Sequence, residues 1–128
     1  MLTEIRPEGW PIPKGYADGM MGEGRLVLTG GQIGWHHGTF ETDDFVGQCE
    51  QALRNVLDIV EAAGGEARHI ARLTWYVTGK AEYLARQREM GEAYRRVMGR
   101  HFPAMAMVVV AALIEDRAKV EIEGTAIL

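Results

Sequence analysis

From Ala104 to Leu113 the chain reads Ala-Met-Ala-Met-Val-Val-Val-Ala-Ala-Leu, ten residues without a polar side chain. The run is far shorter than the eighteen or so apolar residues that a bilayer requires, and it reads as a strand. Successive side chains of a strand point to opposite faces, so Met105, Met107, Val109 and Ala111 cover one face while Ala106, Val108, Val110 and Ala112 cover the other. Strands apolar on both sides occur where both faces of a sheet are buried. The rest of the chain must therefore cover one face, and something must cover the second.

Two helices are available for the first face. Between about Asp44 and Ala63, at 100° per residue, Phe45, Cys49, Ala52, Leu53, Val56, Val60 and Ala63 fall on one narrow stripe. Thr42 or Asp43 is placed to cap this helix, and Gly64-Gly65 supplies a left-handed exit. A second helix, roughly Ala81 to Met98, groups Tyr83, Leu84, Met90, Tyr94, Val97 and Met98 opposite Arg86, Glu89, Glu92 and Arg96, with Gly99 as its stop.

Ile70 to Thr78 alternates, with Ala71, Leu73, Trp75 and Val77 on one side and Arg72, Thr74 and Tyr76 on the other. Val120, Ile122, Ala126 and Leu128 alternate with Lys119, Glu121, Glu123 and Thr125 in a last strand, joined to the apolar one through Glu115-Asp116. Tyr16 to Met21 and Arg25 to Thr29 flank Gly22-Glu23-Gly24 and predict a hairpin. The order is ββαβαββ. Strand-helix-strand units cross over right-handed, so both helices land on one face of one mixed α/β sheet. The other face is left bare, and further copies of the same chain are expected to cover it.

A length of 128 residues and a 47% apolar share fit a single domain spanning 1–128. The N-terminus has no basic stretch followed by an apolar run, and the lone Cys49 forms no intramolecular disulfide, so a cytoplasmic setting without membrane attachment is expected. A net charge of -4 and a pI near 5.6 argue against nucleic acid as a partner. The densest basic cluster, Arg86, Arg88, Arg95, Arg96 and Arg100, is interleaved with Glu89 and Glu92 and reads as a solvated helix face.

Few motifs carry chemistry. Glu121 and Glu123 sit two apart and share the bare face, where burial by another chain would require them to be paired, hydrogen-bonded or functional. Gly30-Gly31-Gln32-Ile33-Gly34 lacks the spacing of a phosphate loop and reads first as a tight bend. His36, His37, His69 and His101 have no zinc spacing, so neither a metal nor any other cofactor is expected. The chain has no serine, which excludes serine-hydrolase chemistry, and Cys49 lies on a core stripe.

Several stretches together resemble the RidA/YjgF family of enamine and imine deaminases, formerly described as translation inhibitors or endoribonucleases. The carriers are Gly15-Tyr16, Leu28-Thr29-Gly30-Gly31-Gln32-Ile33, Gln51 to Leu57, Ala62-Ala63-Gly64-Gly65, Arg72 to Thr78, Phe102-Pro103-Ala104 and Val120-Glu121-Ile122-Glu123. The resemblance implies a chorismate-mutase-like fold and a barrel-like homotrimer with small-molecule clefts between subunits. It places Tyr16, Gly31, Gln32 and Met105 among the ligand-binding residues and gives Glu121 the catalytic role of positioning the attacking water. Trp35 is added as an aromatic residue at the cleft mouth. The family's substrate-binding arginine is replaced by Met105, its serine by Gly30 and its second-helix asparagine by Gly91. These departures point to a small, uncharged or weakly polar ligand, and to hydrolysis of an imine or enamine other than those of simple amino acids. A non-catalytic metabolite-binding trimer remains the alternative, and an endoribonuclease is disfavoured by the acidic pI.

Overall fold

The computed structural model describes residues 1–128. In chain order its elements are β1 (Thr3–Ile5), β2 (Gly19–Met21), β3 (Leu26–Leu28), β4 (Gln32–Ile33), β5 (Trp35–His36), β6 (Thr39–Phe40) and α1 (Phe45–Ala62). A short 3-10 turn at Ala67–His69 leads into β7 (Ile70–Val77), followed by α2 (Lys80–Ala85), α3 (Gln87–Met98), β8 (Ala104–Val109) and β9 (Val120–Ile127). The main sheet runs β3-β9-β7-β8, with β4 also beside β9. The β7–β8 pair is parallel and the other pairings are antiparallel, which makes the sheet mixed.

The α1 stripe is what seats this helix. Phe45, Cys49, Leu53, Val56 and Val60 are fully buried against Leu73, Val120 and Ile122 of the sheet, and α3 adds Ala93, Tyr94 and Val97 to the same core. Each large side chain so buried contributes about 1.5–3 kcal/mol of transfer free energy. Gln48 is the one fully buried polar side chain of α1, and all its groups are satisfied. Its Nε2 donates to the carbonyls of Thr42 and Arg117 at 3.2 and 2.9 Å, and its Oε1 accepts from Lys119 N at 2.8 Å.

The opposite face has no helix. Alternation along β9 buries Val120, Ile122 and Ala126 on the helix side and leaves Glu121, Glu123 and Thr125 on the other. Tyr76, in register with Glu121 and Val108, continues that open face across the sheet. Leu26, Leu28 and Val108 are 61%, 67% and 44% exposed, so the uncovered face has apolar margins around a polar centre.

Four sequence expectations are corrected. Tyr16–Met21 does not pair with Arg25–Thr29: β2 pairs with β1, and β3 pairs with β9. The reason is long-range, since Arg25 and Leu128 exchange two backbone hydrogen bonds of 2.7 and 2.8 Å that draw β3 onto β9. The second helix is broken at Arg86, whose φ and ψ of -123° and 25° leave helical values while its guanidinium bridges Asp44 and Glu89. The apolar strand stops at Val109 rather than Leu113, because its partner β7 ends at Val77, the residue paired with Val109. Asp44, not Thr42 or Asp43, caps α1, accepting from Gly47 N at 2.9 Å, while Thr42 Oγ1 accepts from Asp44 N.

Candidate functional site

Two groups of candidate residues form, on opposite sides of the sheet. The first is built by an irregularity between β3 and β4. Leu28 faces Thr125 and Gln32 faces Ile122, so four steps on one strand oppose three on the other, a β-bulge at Thr29–Gly31. Thr29 holds it: its N–H donates to Gly124 O, its hydroxyl accepts from Gly124 N, both at 2.9 Å, and donates to Gly30 O. The bulge brings Gly31 onto the Glu121 carboxylate. A Cβ at residue 31 would collide with Oε2 and lie 2.7 Å from Cδ, so only glycine fits beside the acid in its present position. Gln32 follows, half-buried, its Nε2 3.4 Å from Gly30 O.

The two glutamates of this face differ. Tyr76 Oη donates to Glu123 Oε1 at 2.7 Å, and that bond, with the carboxylate's charge, pushes the phenol's pKa up. Glu121 receives no side-chain hydrogen bond and is only half-buried. A free carboxylate beside backbone that approaches closely is suited to hold a water and accept its proton.

The second group lines a cavity of about 560 Å³ between β8, the α2–α3 surface and the Gly15–Tyr16 segment. Ala17 N donates to Pro103 O at 3.0 Å and bridges Ala104 in parallel, which sets Tyr16 beside the start of β8. Met105 and Met107 are in register with Leu73 and Trp75, on the helix side of the sheet. Tyr16, Met105 and Gly91 therefore meet in this cavity, whereas Glu121 and Gly31 lie on the far side of the same sheet.

Trp35 joins neither group. It sits on the β5–β6 hairpin, 6.1 Å from Phe40 between ring centroids, and its carbonyl accepts from Asn55 Nδ2 of α1 at 2.7 Å. The hairpin is thus fastened to the helix side by Asn55. Cys49 is buried with its thiol pKa pushed up by desolvation, which suits a core residue.

The basic cluster divides. Arg86, Arg88 and Arg96 are in ion pairs with Asp44 and Glu89, Glu92, and Glu50 respectively, as a solvated helix face requires. Arg95 is not, and it lines the cavity together with Lys14. Sequence reasoning missed both. The signal available for Arg95 was its spacing, four residues after a glycine inside a helix.

Comparison with known proteins identifies the frame in which these groups stand. Residues 11–128 match the family model described as Endoribonuclease L-PSP. The chain is 37% identical to a RutC family protein of Haemophilus influenzae, over 99% of this chain and 98% of that one. It is 36% identical to the 2-iminobutanoate/2-iminopropanoate deaminase of Escherichia coli, over the same shares. Among solved structures, a Rid family protein of unknown function from Yersinia pestis superposes with a TM-score of 0.87 at 25% identity, covering 99% of this chain and 98% of that one. The mixed sheet with its helices on one face is the fold of these proteins, and the chain belongs to the RidA/YjgF family.

Proposed function

We propose that this chain, as a single 1–128 domain, hydrolyses an imine or enamine in the cytoplasm as a homotrimer whose ligand clefts lie between subunits. The observation that carries the reading is the division of the candidate residues. Glu121 and the Gly31 backbone against it stand on the uncovered face, while Tyr16 and Met105 line a cavity on the other side of the sheet. One chain cannot bring them together, whereas a neighbour laid over the uncovered face supplies the missing half. The apolar margins at Leu26, Leu28 and Val108 favour such a neighbour.

In this reading Glu121 orients a water against the C=N carbon and takes its proton as the C–O bond forms. The carbinolamine then collapses, the proton returns to nitrogen, and ammonia leaves a carbonyl product. Nothing beyond a positioned water and proton transfer is required. Met105 offers no counter-charge at the position of the family's arginine, so the substrate differs from the small imino acids named for the Escherichia coli relative.

The test generates imines from a panel of amino acids with an amino-acid oxidase and follows their loss with and without the protein. Wild type accelerates the loss of at least one imine, and Glu121→Gln lowers that acceleration by about a hundredfold or more while retaining ligand binding. Binding without acceleration of any imine would instead support a non-catalytic metabolite carrier.

A further inference from the structure

The cavity between β8 and α3 is positively charged in a chain that is acidic as a whole. Lys14 and Arg95 line it, and no aspartate or glutamate does. Neither cation has a carboxylate within 4.0 Å, although three other arginines of the α2–α3 segment do. Two exposed cations at one cavity with no acidic side chain in its lining give it a positive potential that favours an anionic ligand.

Gly91 explains how one of them is held there. It lies one helical turn before Arg95, and a Cβ built on it would meet Arg95 Nη1 at 3.3 Å, Nη2 at 3.9 Å and Cζ at 4.0 Å. The guanidinium therefore folds back over the helix surface beside residue 91, close enough that a Cβ there would press against Nη1. Glycine inside a helix is otherwise unfavourable, because it adds backbone freedom to the unfolded chain. Here it lets the guanidinium lie close against the helix. Trp75 forms part of the same wall, and its indole Nε1 is buried without an acceptor. The remaining floor, Met105 and Met107, is apolar and deformable.

We propose that Arg95, seated over Gly91, is the counter-charge for a ligand carboxylate in this cavity, and that the ligand is a 2-imino or 2-oxo acid with a bulky apolar side chain. The inference rests on the reading of the cavity as one half of the ligand cleft. The cation reaches the ligand from a helix rather than from strand β8, and the two methionines lie in the wall that a strand-borne arginine would otherwise share. The carboxylate is gripped at α3 and the apolar body lies on Met105 and Met107. A cavity of about 560 Å³ holds such a molecule, whereas the smallest imino acids leave much of it unfilled. The expectation of an uncharged ligand, drawn from Met105 alone, is thereby replaced.

The experiment titrates the full-length protein with 4-methyl-2-oxopentanoate and with 4-methylpentan-2-one, which carries a methyl group in place of the carboxylate. Binding is read by calorimetry and by the Trp75 indole N–H resonance. The oxo acid should bind at least about tenfold more tightly than the ketone, and Arg95→Gln should remove about tenfold or more of that affinity while leaving the ketone unchanged. Arg95→Lys should fall between the two, since an ammonium keeps the charge but loses the fork. Equal binding of the oxo acid by wild type and Arg95→Gln, or no preference for it over the ketone, overturns the proposal. Oxo-acid binding that depends on Arg95 in a protein that turns over no imine would overturn the catalytic reading alone.

Discussion

The Tyr76 hydroxyl is bonded to Glu123 Oε1 at 2.7 Å, which leaves Glu121, two residues away on the same face, without a side-chain partner. The two acids thus differ in availability although their strand positions are equivalent. Tyr76→Phe should cost about 0.5–1.5 kcal/mol of stability, the net value of one hydrogen bond, and change turnover less than about fivefold. Urea unfolding together with the imine-loss assay measures both. A collapse of activity in Tyr76→Phe as deep as that of Glu121→Gln would transfer the catalytic role to the Tyr76–Glu123 pair.

Gly31→Ala probes the close approach at the bulge. Its methyl group would occupy the place of the Glu121 carboxylate, which must swing aside. Turnover should fall by about tenfold or more, with thermal stability nearly unchanged because the bulge itself is held by Thr29. Wild-type kinetics in this variant would show that the position of the carboxylate is unimportant.

Val108→Asp places a charge on the uncovered face, where Val108 is in register with Tyr76. A charge buried there by a neighbouring copy, with no partner of its own, costs several kcal/mol. Light scattering should show a smaller particle whose circular dichroism is still that of the folded chain. Val109→Asp is the control, because Val109 stands opposite Val77 at the helix-side edge and is 53% exposed. Identical masses for Val108→Asp and wild type would exclude this face as the subunit contact.

Small imino acids such as 2-iminobutanoate should be consumed far more slowly than by relatives that keep the family's arginine. With no arginine at position 105 the carboxylate is held only from α3, and the smallest imino acids leave much of the cavity unfilled, so kcat/KM should be lower by about tenfold or more. Supplying 2-iminobutanoate through a threonine dehydratase and comparing wild type with Met105→Arg measures this directly. The variant should gain rate, and an unchanged rate in Met105→Arg would show that position 105 does not set the substrate.

Stability should fall in acid through the contact between α1 and the α2–α3 segment. The Arg86 hydrogen bond holds the Asp44 carboxyl below its ordinary value of 3.8, and the Arg96 hydrogen bond does the same for Glu50 from 4.5. Both folded-state values are lowered, so the stabilisation is complete above the ordinary values and is lost as pH falls through them towards the folded ones. The urea midpoint should hold steady from neutral pH to about pH 5 and then decline. In Arg86→Gln the decline attributable to Asp44 should disappear, and an identical acid limb would remove Asp44 from the account.

Local patterns carried much of this structure. The stripe from Phe45 to Val60 marked α1 to within a residue or two, and alternation in Ile70–Val77 and Val120–Ile127 identified both faces of the sheet correctly. What local reasoning could not supply was pairing at a distance. Gly22-Glu23-Gly24 has the composition of a hairpin turn, yet Arg25 finds its partner in Leu128, at the other end of the sequence. Arg95 was hidden for a related reason. On a helix read in isolation it is one of several arginines spaced among glutamates, and only the position of β8 reveals that it faces a cavity.

Gln48 has a consequence for how sequences of this kind can diverge. Its single amide satisfies backbone groups in two separate loops, at Thr42 and at Arg117 and Lys119. A leucine of similar volume would leave those groups orphaned in the interior, and a shorter amide such as asparagine would fall short of at least one of them. Change at this position is accordingly tied to change in both loops at once. The amide acts as a hinge pin between segments that would otherwise drift independently, and mutational paths that alter one loop length must pass through it.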